Sequence, residues 1–248
     1  MFYKFLMKKM FDIFSKIEFY SALLQGKGYG SHTVKNEVRI LNKLIKNPSL
    51  VIDIGANIGD YANEVLNVWP NVEIHLFEPS KTNYQILQQR FALPHVVINN
   101  KALSNKSGTG YLYADKEGSG LASLGKRRLD HFEIEYKYKE EIEIITFENY
   151  FKYILSERSI DVIKLDVEGF EYDVLSGFGD ALKSVKIIQF EFGGCNLDTK
   201  RTFQDFWYFF NDHGFSVNRV TPFGLQSLIN YHEIDEYYST TNFICIKK

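Results

Sequence analysis

A chain of 248 residues, 45% of them hydrophobic and 24% charged, suits a globular domain with a sizeable core. The formal net charge of −2 excludes a general electrostatic attraction to nucleic acid, and we expect no nucleic-acid partner. The two cysteines lack metal-ligand spacing, which argues against a zinc site or a disulfide framework and favours a cytoplasmic protein.

Residues 1–45 are predicted to form a helical extension. Large apolar residues recur at helical spacing between lysines over residues 1–24, which indicates an amphipathic helix, and a second helix is expected over Glu37–Ile45. Packing on the main domain is the simplest interpretation of the first helix, and peripheral contact with a membrane or a partner is the alternative. A homodimer through the aromatic-rich termini also stays open. Charged residues interrupt the apolar runs, so we expect neither a membrane span nor a secretory signal.

Residues 46–248 are predicted to form one domain, because short apolar runs alternate with amphipathic stretches. This alternation is typical of a mostly parallel sheet with helices on both faces. The predicted strands are Leu50–Ile54, Val72–Phe77, Val96–Ile98, Ile160–Leu165, Val185–Phe192, Phe215–Val220 and Phe243–Ile246. The predicted helices between them are Ile58–Val68, Lys81–Phe91 and Arg201–His213. The stretch 105–143 interrupts this order with glycines, charges and tyrosines. We interpret it as an excursion with short strands rather than a separate domain, and insertions of this kind often form substrate-facing loops.

The run Val51–Gly59 joins a strand to a helix, which is the context in which a glycine-rich turn binds a ligand. Gly55 allows a ligand to approach the backbone, Asn57 is suited to cap the following helix, and Gly59 permits close helix packing. Asp53 lies at the carboxyl edge of the sheet, where its carboxylate can accept hydrogen bonds from a cationic amino-acid group. A tight turn without a ligand is the alternative interpretation.

Glu78 follows the second predicted strand, about 20 residues beyond these glycines, where an acid binds ribose hydroxyls in dinucleotide-type sites. The pattern G-x-G-x-x-G is missing, and with it the close glycine pair against which a pyrophosphate sits. A ligand that carries ribose but no phosphate fits better, and S-adenosylmethionine is such a ligand. An NAD-dependent oxidoreductase is the weaker alternative.

Four motifs together resemble the FkbM family of methyltransferases: Val51-Ile-Asp-Ile-Gly-Ala-Asn-Ile-Gly59, Phe77-Glu-Pro79, Lys101-Ala-Leu-Ser104 and Ile163-Lys-Leu-Asp-Val-Glu-Gly-Phe-Glu171. The resemblance covers about residues 50–247. It implies the α/β fold of class I methyltransferases, a Rossmann-like sheet of seven mostly parallel strands, the last of them antiparallel to its neighbours. It also implies methyl transfer from S-adenosylmethionine to a hydroxyl oxygen, often on a sugar or another secondary metabolite.

The resemblance further implies where the cofactor would bind. The residues that it assigns are Asp53, Gly55, Ala56, Asn57 and Gly59 for the amino-acid part, Glu78 and Pro79 for the ribose, and Asn100, Lys101 and Ala102 for the adenine. Asp166 follows a later strand at the same sheet edge, where it would border both cofactor and acceptor.

Candidate catalytic residues lie at this sheet edge and in the excursion. Asp166 and Glu168 follow one predicted strand, and Glu191 ends the next. Asp166 could position the cofactor or the acceptor, act as a general base, bind a hard metal ion, or simply cap a helix. The spacing of these acids matches no dedicated metal motif, so a metal site is not predicted, although a divalent ion stays an alternative. His131 lies beside the basic run Lys126–Arg128, and a histidine suits base chemistry at neutral pH.

The leading hypothesis is an O-methyltransferase that acts on a sugar, a glycan or a glycosylated metabolite, as polysaccharide biosynthesis requires. A methyltransferase of a non-sugar small molecule is the first alternative. The second is a non-catalytic, membrane-tethered scaffold with the same fold. We expect a cytoplasmic protein, with membrane association left open by the first helix.

Overall fold

The computed structural model describes residues 2–30 and 34–248, with side chains from residue 7 onward in the first range. The helices in these ranges are α1 (Phe2–Leu24), α2 (Val34–Leu44), α3 (Asp60–Val68), α4 (Lys81–Arg90), α5 (Phe147–Tyr153), α6 (Glu171–Ser176), α7 (Cys195–Asp198) and α8 (Phe203–Asp212). The strands are β1 (Leu50–Ile54), β2 (Glu73–Phe77), β3 (Val96–Asn99), β4 (Ala102–Leu103), β5 (Gly108–Ala114), β6 (Tyr138–Ile145), β7 (Ile160–Leu165), β8 (Val185–Phe192), β9 (Phe215–Thr221), β10 (Gly224–Ser227) and β11 (Thr241–Lys247).

The main sheet has the strand order β10-β9-β11-β8-β7-β1-β2-β3. Strands β3, β2, β1, β7 and β8 run parallel, whereas β11 is antiparallel to both of its neighbours, β8 and β9. The predicted α/β class I methyltransferase fold is confirmed, including the antiparallel last strand. The predicted count of seven strands is one short, because β10 forms a hairpin with β9 at the sheet edge.

The sheet is buried on both faces, which explains why its central strands are continuous apolar runs rather than alternating ones. Every residue of β1 and of β7 is buried. On one face, Phe190 packs between aromatic rings, with centroids 5.0 Å from Phe206 and 5.2 Å from Phe210 and Phe243. A second apolar cluster on α2 and α3 covers the other face. Much of the aromatic content therefore builds the core.

The excursion adds a second, three-stranded sheet with the order β4-β6-β5. β5 pairs with β6 in antiparallel register from Gly108–Ile144 to Ala114–Tyr138. The chain between them folds back on β5 through a bridge from Ser123 to Tyr113. This arrangement brings the segment before Ser123 against the carboxyl edge of the main sheet.

The helix predicted over residues 1–24 is present as α1, but it does not pack on the main domain between residues 8 and 21, whose side chains are all exposed. Contact with the body begins at Ala22 and continues through residues 26–30, which are buried or half-buried. None of the described helices combines the length and apolarity needed to cross a bilayer.

Candidate functional site

A cleft of about 710 Å³ of empty space, open to solvent, lies at the carboxyl ends of β1, β2 and β7. The predicted site residues that line it are Gly55, Asn57, Glu78, Pro79, Lys101, Ala102, Asp166 and Glu168. Its outer wall comes from the excursion, which contributes Leu112, Ser119, Gly120, Ala122 and Leu124. The excursion was expected to face the substrate, but no sequence pattern singled out these outer-wall residues.

The turn after β1 contacts the end of β7 so closely that it requires glycine. Gly55 has a φ of +87°. A Cβ atom on this residue would lie 1.8 Å from the carbonyl oxygen of Asp166. The amide of Asp166 donates to the carbonyl oxygen of Ile54 at 3.0 Å, which fixes the two segments together. Both the left-handed backbone and the close contact therefore exclude other side chains.

We expect Gly55→Ala to lower the free energy of unfolding by about 2–5 kcal/mol, because left-handed backbone costs an alanine about 1–2 kcal/mol and overpacking adds about 1–3 kcal/mol. Gly214→Ala is the matched control, since Gly214 also has positive φ, +76°, but no described atom within 4 Å of the added Cβ. Urea unfolding of both variants measures the difference. Equal losses would show that the contact with Asp166 contributes nothing.

Asn57 does not cap α3, which corrects the prediction from sequence. The helix begins at Asp60 and its N-cap is Gly59, in left-handed conformation. Asn57 also has positive φ, 49°, and its side-chain oxygen accepts a hydrogen bond from Nδ2 of Asn83 at 3.0 Å. Gly59 does serve close packing, because a Cβ there would lie 2.3 Å from the ring of Phe91.

Glu78 ties the β1 turn to the end of β2. One oxygen accepts from the backbone amide of Asn57 at 2.8 Å and the other from the amide of Ser80 at 2.9 Å. Burial raises the pKa of Glu78 to about 7, although these two amides oppose the shift. The side chain of Asn100 lies behind this segment and donates to the carbonyl oxygens of Glu78 and Pro79, at 3.0 and 2.9 Å. Asn100 therefore shapes the cleft wall rather than lining it.

Asp53 is completely buried, and neither carboxylate oxygen has a hydrogen-bond partner among the described residues. Burial raises its pKa to about 6, against the opposing charge of nearby Lys164. The ammonium of Lys164 instead contacts Asp166, at 2.9 Å. A buried carboxylate without a partner is unfavourable and rare, so this one fits a cationic group brought by a ligand, directly or through water. Ala56 is buried in the same turn and donates its amide to the carbonyl oxygen of Phe77 at 3.0 Å.

Glu168 and Glu191 lie close to other carboxylates, which disfavour their charged forms. Burial, with help from Asp166, raises the pKa of Glu168 to about 8, although Arg127 contacts one of its oxygens at 2.6 Å. Burial and the charges of Asp166 and Glu168 likewise raise the pKa of Glu191 well above its ordinary value. Glu168 also has positive φ, 53°, a strained conformation of the kind that clusters at functional sites.

Glu171 is structural. It begins α6 and its carboxylate accepts the backbone amides of Val167 and Gly169, at 3.0 and 3.1 Å, and Nδ2 of Asn196 at 3.1 Å. These bonds hold the turn that carries Glu168 into the cleft wall. Because Glu171 already has three donors, it has little capacity left to bind a ligand.

His131 is not brought to the cleft. It is exposed on a short 3₁₀ turn, Asp130–Phe132, with its ring 4.2 Å from that of Phe132. The excursion instead reaches the acids through Arg127, which contacts both Glu168 and Asp198. Within residues 7–30 and 34–248, no three His, Cys, Asp or Glu side chains are grouped to hold a metal ion.

A buried polar network that sequence reasoning missed connects α2 to this edge. Gln189 donates to Glu37 at 2.5 Å and accepts from the hydroxyl of Tyr61 at 3.2 Å. Asn242 donates to the other oxygen of Glu37 at 2.7 Å, and the Lys164 ammonium lies 5.0 Å from the Tyr61 ring centroid. Burial opposes the charge of Lys164, but Asp166, Asp53 and Glu37 outweigh burial and raise its pKa. The signal for this network in the sequence was Lys164, a lysine inside the buried strand β7.

The chain is similar to known methyltransferases in sequence and in fold. "Methyltransferase 1" from Beauveria bassiana (strain ARSEF 2860) is 21% identical over 178 residues, covering 61% of this chain and 72% of that protein. The structure is similar to a putative rRNA methylase from Clostridium thermocellum, with a TM-score of 0.51, 10% identity, and 87% and 95% of the two chains covered. A putative methyltransferase from Streptococcus mutans in complex with SAH gives a TM-score of 0.49 at 8% identity, with 88% and 99% covered. Residues 53–217, more than half of the chain, match the family described as Methyltransferase FkbM domain. The chain therefore belongs to the FkbM methyltransferase family.

Proposed function

We propose that the protein transfers a methyl group from S-adenosylmethionine to a hydroxyl of a sugar, a glycan or a glycosylated metabolite. The observation that carries the donor assignment is the buried, unpartnered carboxylate of Asp53 beside a cleft that contains Gly55 and Glu78. This set of groups offers an anion for an ammonium and acceptors for ribose hydroxyls, with no glycine pair for a pyrophosphate.

The cleft residues fit the parts of this donor. When bound, S-adenosylmethionine supplies a methyl group on a cationic sulfur, and transfer to oxygen breaks the carbon–sulfur bond and leaves S-adenosylhomocysteine and a proton. Asp53 would hold the amino-acid ammonium, and the bare backbone at Gly55 would let that part approach. Each oxygen of Glu78 accepts one backbone amide and keeps a lone pair for a ribose hydroxyl.

The acids on the acceptor side would position the hydroxyl and accept its proton. Lys164 holds Asp166 in place, and Asp166 in turn would orient the acceptor. Glu168, with its pKa of about 8, is the better base, because proton transfer is most efficient when the catalytic pKa lies near the working pH. Arg127 occupies one oxygen of Glu168 and leaves the other for the proton. Correct positioning contributes about 7–11 kcal/mol in favourable cases, so much of the rate would come from geometry.

The test is direct. Calorimetry should detect binding of S-adenosylmethionine and of S-adenosylhomocysteine but not of NAD. Incubation with S-adenosylmethionine carrying a labelled methyl group and a panel of glycans should then place the label on oxygen, as mass spectrometry of the products would show. Binding of NAD alone would contradict the donor assignment, and transfer only to nitrogen or carbon would contradict the acceptor assignment. Full activity in a strong chelator would remove the metal alternative.

Glu78→Gln is expected to weaken S-adenosylmethionine binding about 10–100-fold, since hydrogen bonds to a charged group contribute about 1.5–3 kcal/mol. The amide keeps one oxygen, so the segment stays tied to one of its two backbone donors. Glu141→Gln is the matched control, because Glu141 is exposed on β6. Calorimetry on both variants measures the effect, and an unchanged dissociation constant for Glu78→Gln would exclude Glu78 from the ribose site.

A further inference from the structure

α1 carries an exposed row of large apolar side chains, here called the apolar stripe: Met10, Ile13, Ile17, Tyr20 and Leu24. Their exposed fractions are 40%, 57%, 58%, 61% and 54%. The members follow one another at intervals of three and four residues, so they lie on one side of the helix. A stripe of this size on one helix is more than the scattered apolar residues of an ordinary surface, and it indicates an interaction site.

The charges of α1 are arranged around this stripe. Lys9 and Lys16, seven residues apart, lie along one edge of it, and Lys8 with Ser15 lies on the far side. Lysines outnumber acids four to two in α1, whereas acids outnumber bases in the whole chain, 31 to 29. The helix is therefore a basic segment on an acidic protein.

We propose that α1 lies flat on an anionic lipid surface, with the apolar stripe in the boundary between headgroups and acyl chains. A helix with a bulky apolar face and lysines around it is the usual form of such an interfacial element, although Phe11 and Phe19 are exposed away from this face. Lysine stems can extend along the apolar face while their ammonium groups reach lipid phosphates, which suits Lys9 and Lys16 at the edge of the stripe.

A second copy of the chain is a poorer occupant. The spacing of the stripe also suits a two-stranded coiled coil, in which Lys9 and Lys16 would lie beside the seam. The residues at the other edge of the seam are Phe14 and Ser21, so a second, parallel helix would place no acid opposite Lys9 or Lys16. Two copies would therefore leave these lysines without counter-charges across the seam, whereas anionic lipids supply the counter-charge. Phe14, 56% exposed, also widens the apolar face beyond a two-stranded seam.

The attachment of α1 to the body, at Ala22 and residues 26–30, lies outside the stripe. The amide of Gly28 donates to the hydroxyl of Thr241 at 2.9 Å and that of Gly30 to the carbonyl oxygen of Thr240 at 2.7 Å. The side chains of residues 8–21 are all exposed, so substitutions there should leave the body intact. The proposal concerns binding alone and does not depend on methyl transfer.

Vesicle flotation tests it on the full-length protein. We expect flotation with vesicles of phosphatidylglycerol and phosphatidylcholine in equal parts, much less with phosphatidylcholine alone, and a decrease with added salt. Ile17→Glu should abolish flotation. Reversing Lys8, Lys9 and Lys16 to glutamate should reduce binding to the anionic vesicles by more than about fivefold for each residue, while leaving any weak binding to phosphatidylcholine. Phe223→Glu is the matched control, because Phe223 lies outside α1 and is 82% exposed. This variant should float like the unaltered protein.

Circular dichroism should show the same thermal transition in every variant, which separates loss of binding from loss of fold. Failure of the unaltered protein to float would overturn the proposal, as would equal flotation of Ile17→Glu. A dimer in sedimentation analysis that Ile17→Glu dissociates, without any lipid binding, would assign the stripe to a second copy instead.

Discussion

Asp53→Asn is expected to remove most of the affinity for S-adenosylmethionine. The same substitution should raise the stability of the free protein, relative to the unaltered protein, more at neutral pH than at acidic pH. The affinity falls because the ammonium of the donor loses its only proposed carboxylate partner. Truncating one partner of a buried, hydrogen-bonded charge pair costs about 2–5 kcal/mol, which is about 30-fold to several thousand-fold in affinity. Calorimetry on the purified variant measures this loss.

The stability effect follows from the raised pKa of Asp53. Its pKa is about 6 in the folded protein and 3.8 in a model carboxyl, so the folded state prefers the protonated form. Stability is therefore lost as the pH rises from below 3.8 through about 6, and the loss amounts to about 3 kcal/mol. Asparagine carries no charge and escapes this loss. Between about pH 4 and about pH 7.5, the unfolding free energy of the variant should rise by about 2.4 kcal/mol relative to that of the unaltered protein.

Asp161→Asn is the matched control, with the opposite sign. Asp161 is also buried, but it accepts hydrogen bonds from Ser49 and Leu50 and pairs with Lys186 at 2.7 Å. Burial opposes the charged form, but these partners outweigh burial and lower its pKa. Asp161 therefore contributes stability above its unfolded pKa, and its removal should destabilise the protein at neutral pH without changing cofactor affinity. If Asp53→Asn behaved like this control, Asp53 would be an ordinary buried structural acid.

Glu168→Gln is expected to lower kcat by about 10²–10⁴-fold, the usual contribution of a general base, while the affinity for S-adenosylmethionine changes little. In the unaltered enzyme, kcat should rise with pH through about 8, because the ionised form of Glu168 accepts the proton. The variant should lack this rise. Steady-state kinetics from about pH 6 to about pH 9.5, with an acceptor found by the glycan panel, measures both effects.

Two comparisons give this prediction its specificity. Asp166→Asn removes the like charge that helps to raise the pKa of Glu168, so it should move the rise of kcat to lower pH rather than abolish it. Asp198→Asn removes only the second contact of Arg127, at 2.9 Å. At each pH, the kcat of this variant should stay within a few-fold of that of the unaltered enzyme. An unchanged pH profile in Glu168→Gln would transfer the role of base to Asp166 or Glu191.

The central strands could be predicted from sequence because burial on both faces gives long apolar runs. The bounds of β1, β7 and β8 agree with the predicted runs, and these strands lie side by side in the sheet. β10 was missed because Gly224–Ser227 contains one large apolar residue and pairs with only one strand, at the sheet edge. Edge strands depend on their single partner, and that pairing leaves little trace in composition.

The site was predictable where it depends on one local segment and not where it depends on distant ones. The glycine turn and Glu78 were found from spacing, and the structure places them on one cleft. The predicted start of α3, at Ile58, was wrong because the backbone is left-handed at Asn57 and Gly59. The propensities of asparagine and glycine alone do not specify this conformation. The pairing of Glu37 with Gln189 joins residues 152 positions apart and has no sequence pattern. His131 was predicted at the site because it is close in sequence to a basic run, but that closeness does not place it at the sheet edge.

The close contact between Gly55 and Asp166 has a consequence for how such an enzyme can diverge. The two segments share a backbone hydrogen bond and leave no room for even a methyl group between them. A change in one must be accompanied by a change in the other, so the donor loop and the acids beside it are inherited together as one unit. New acceptor preferences would then arise by variation in the excursion, which lines the same cleft through residues such as Leu112 and Ala122. Among descendants of a common ancestor, the excursion should vary faster than the Gly55–Asp166 contact.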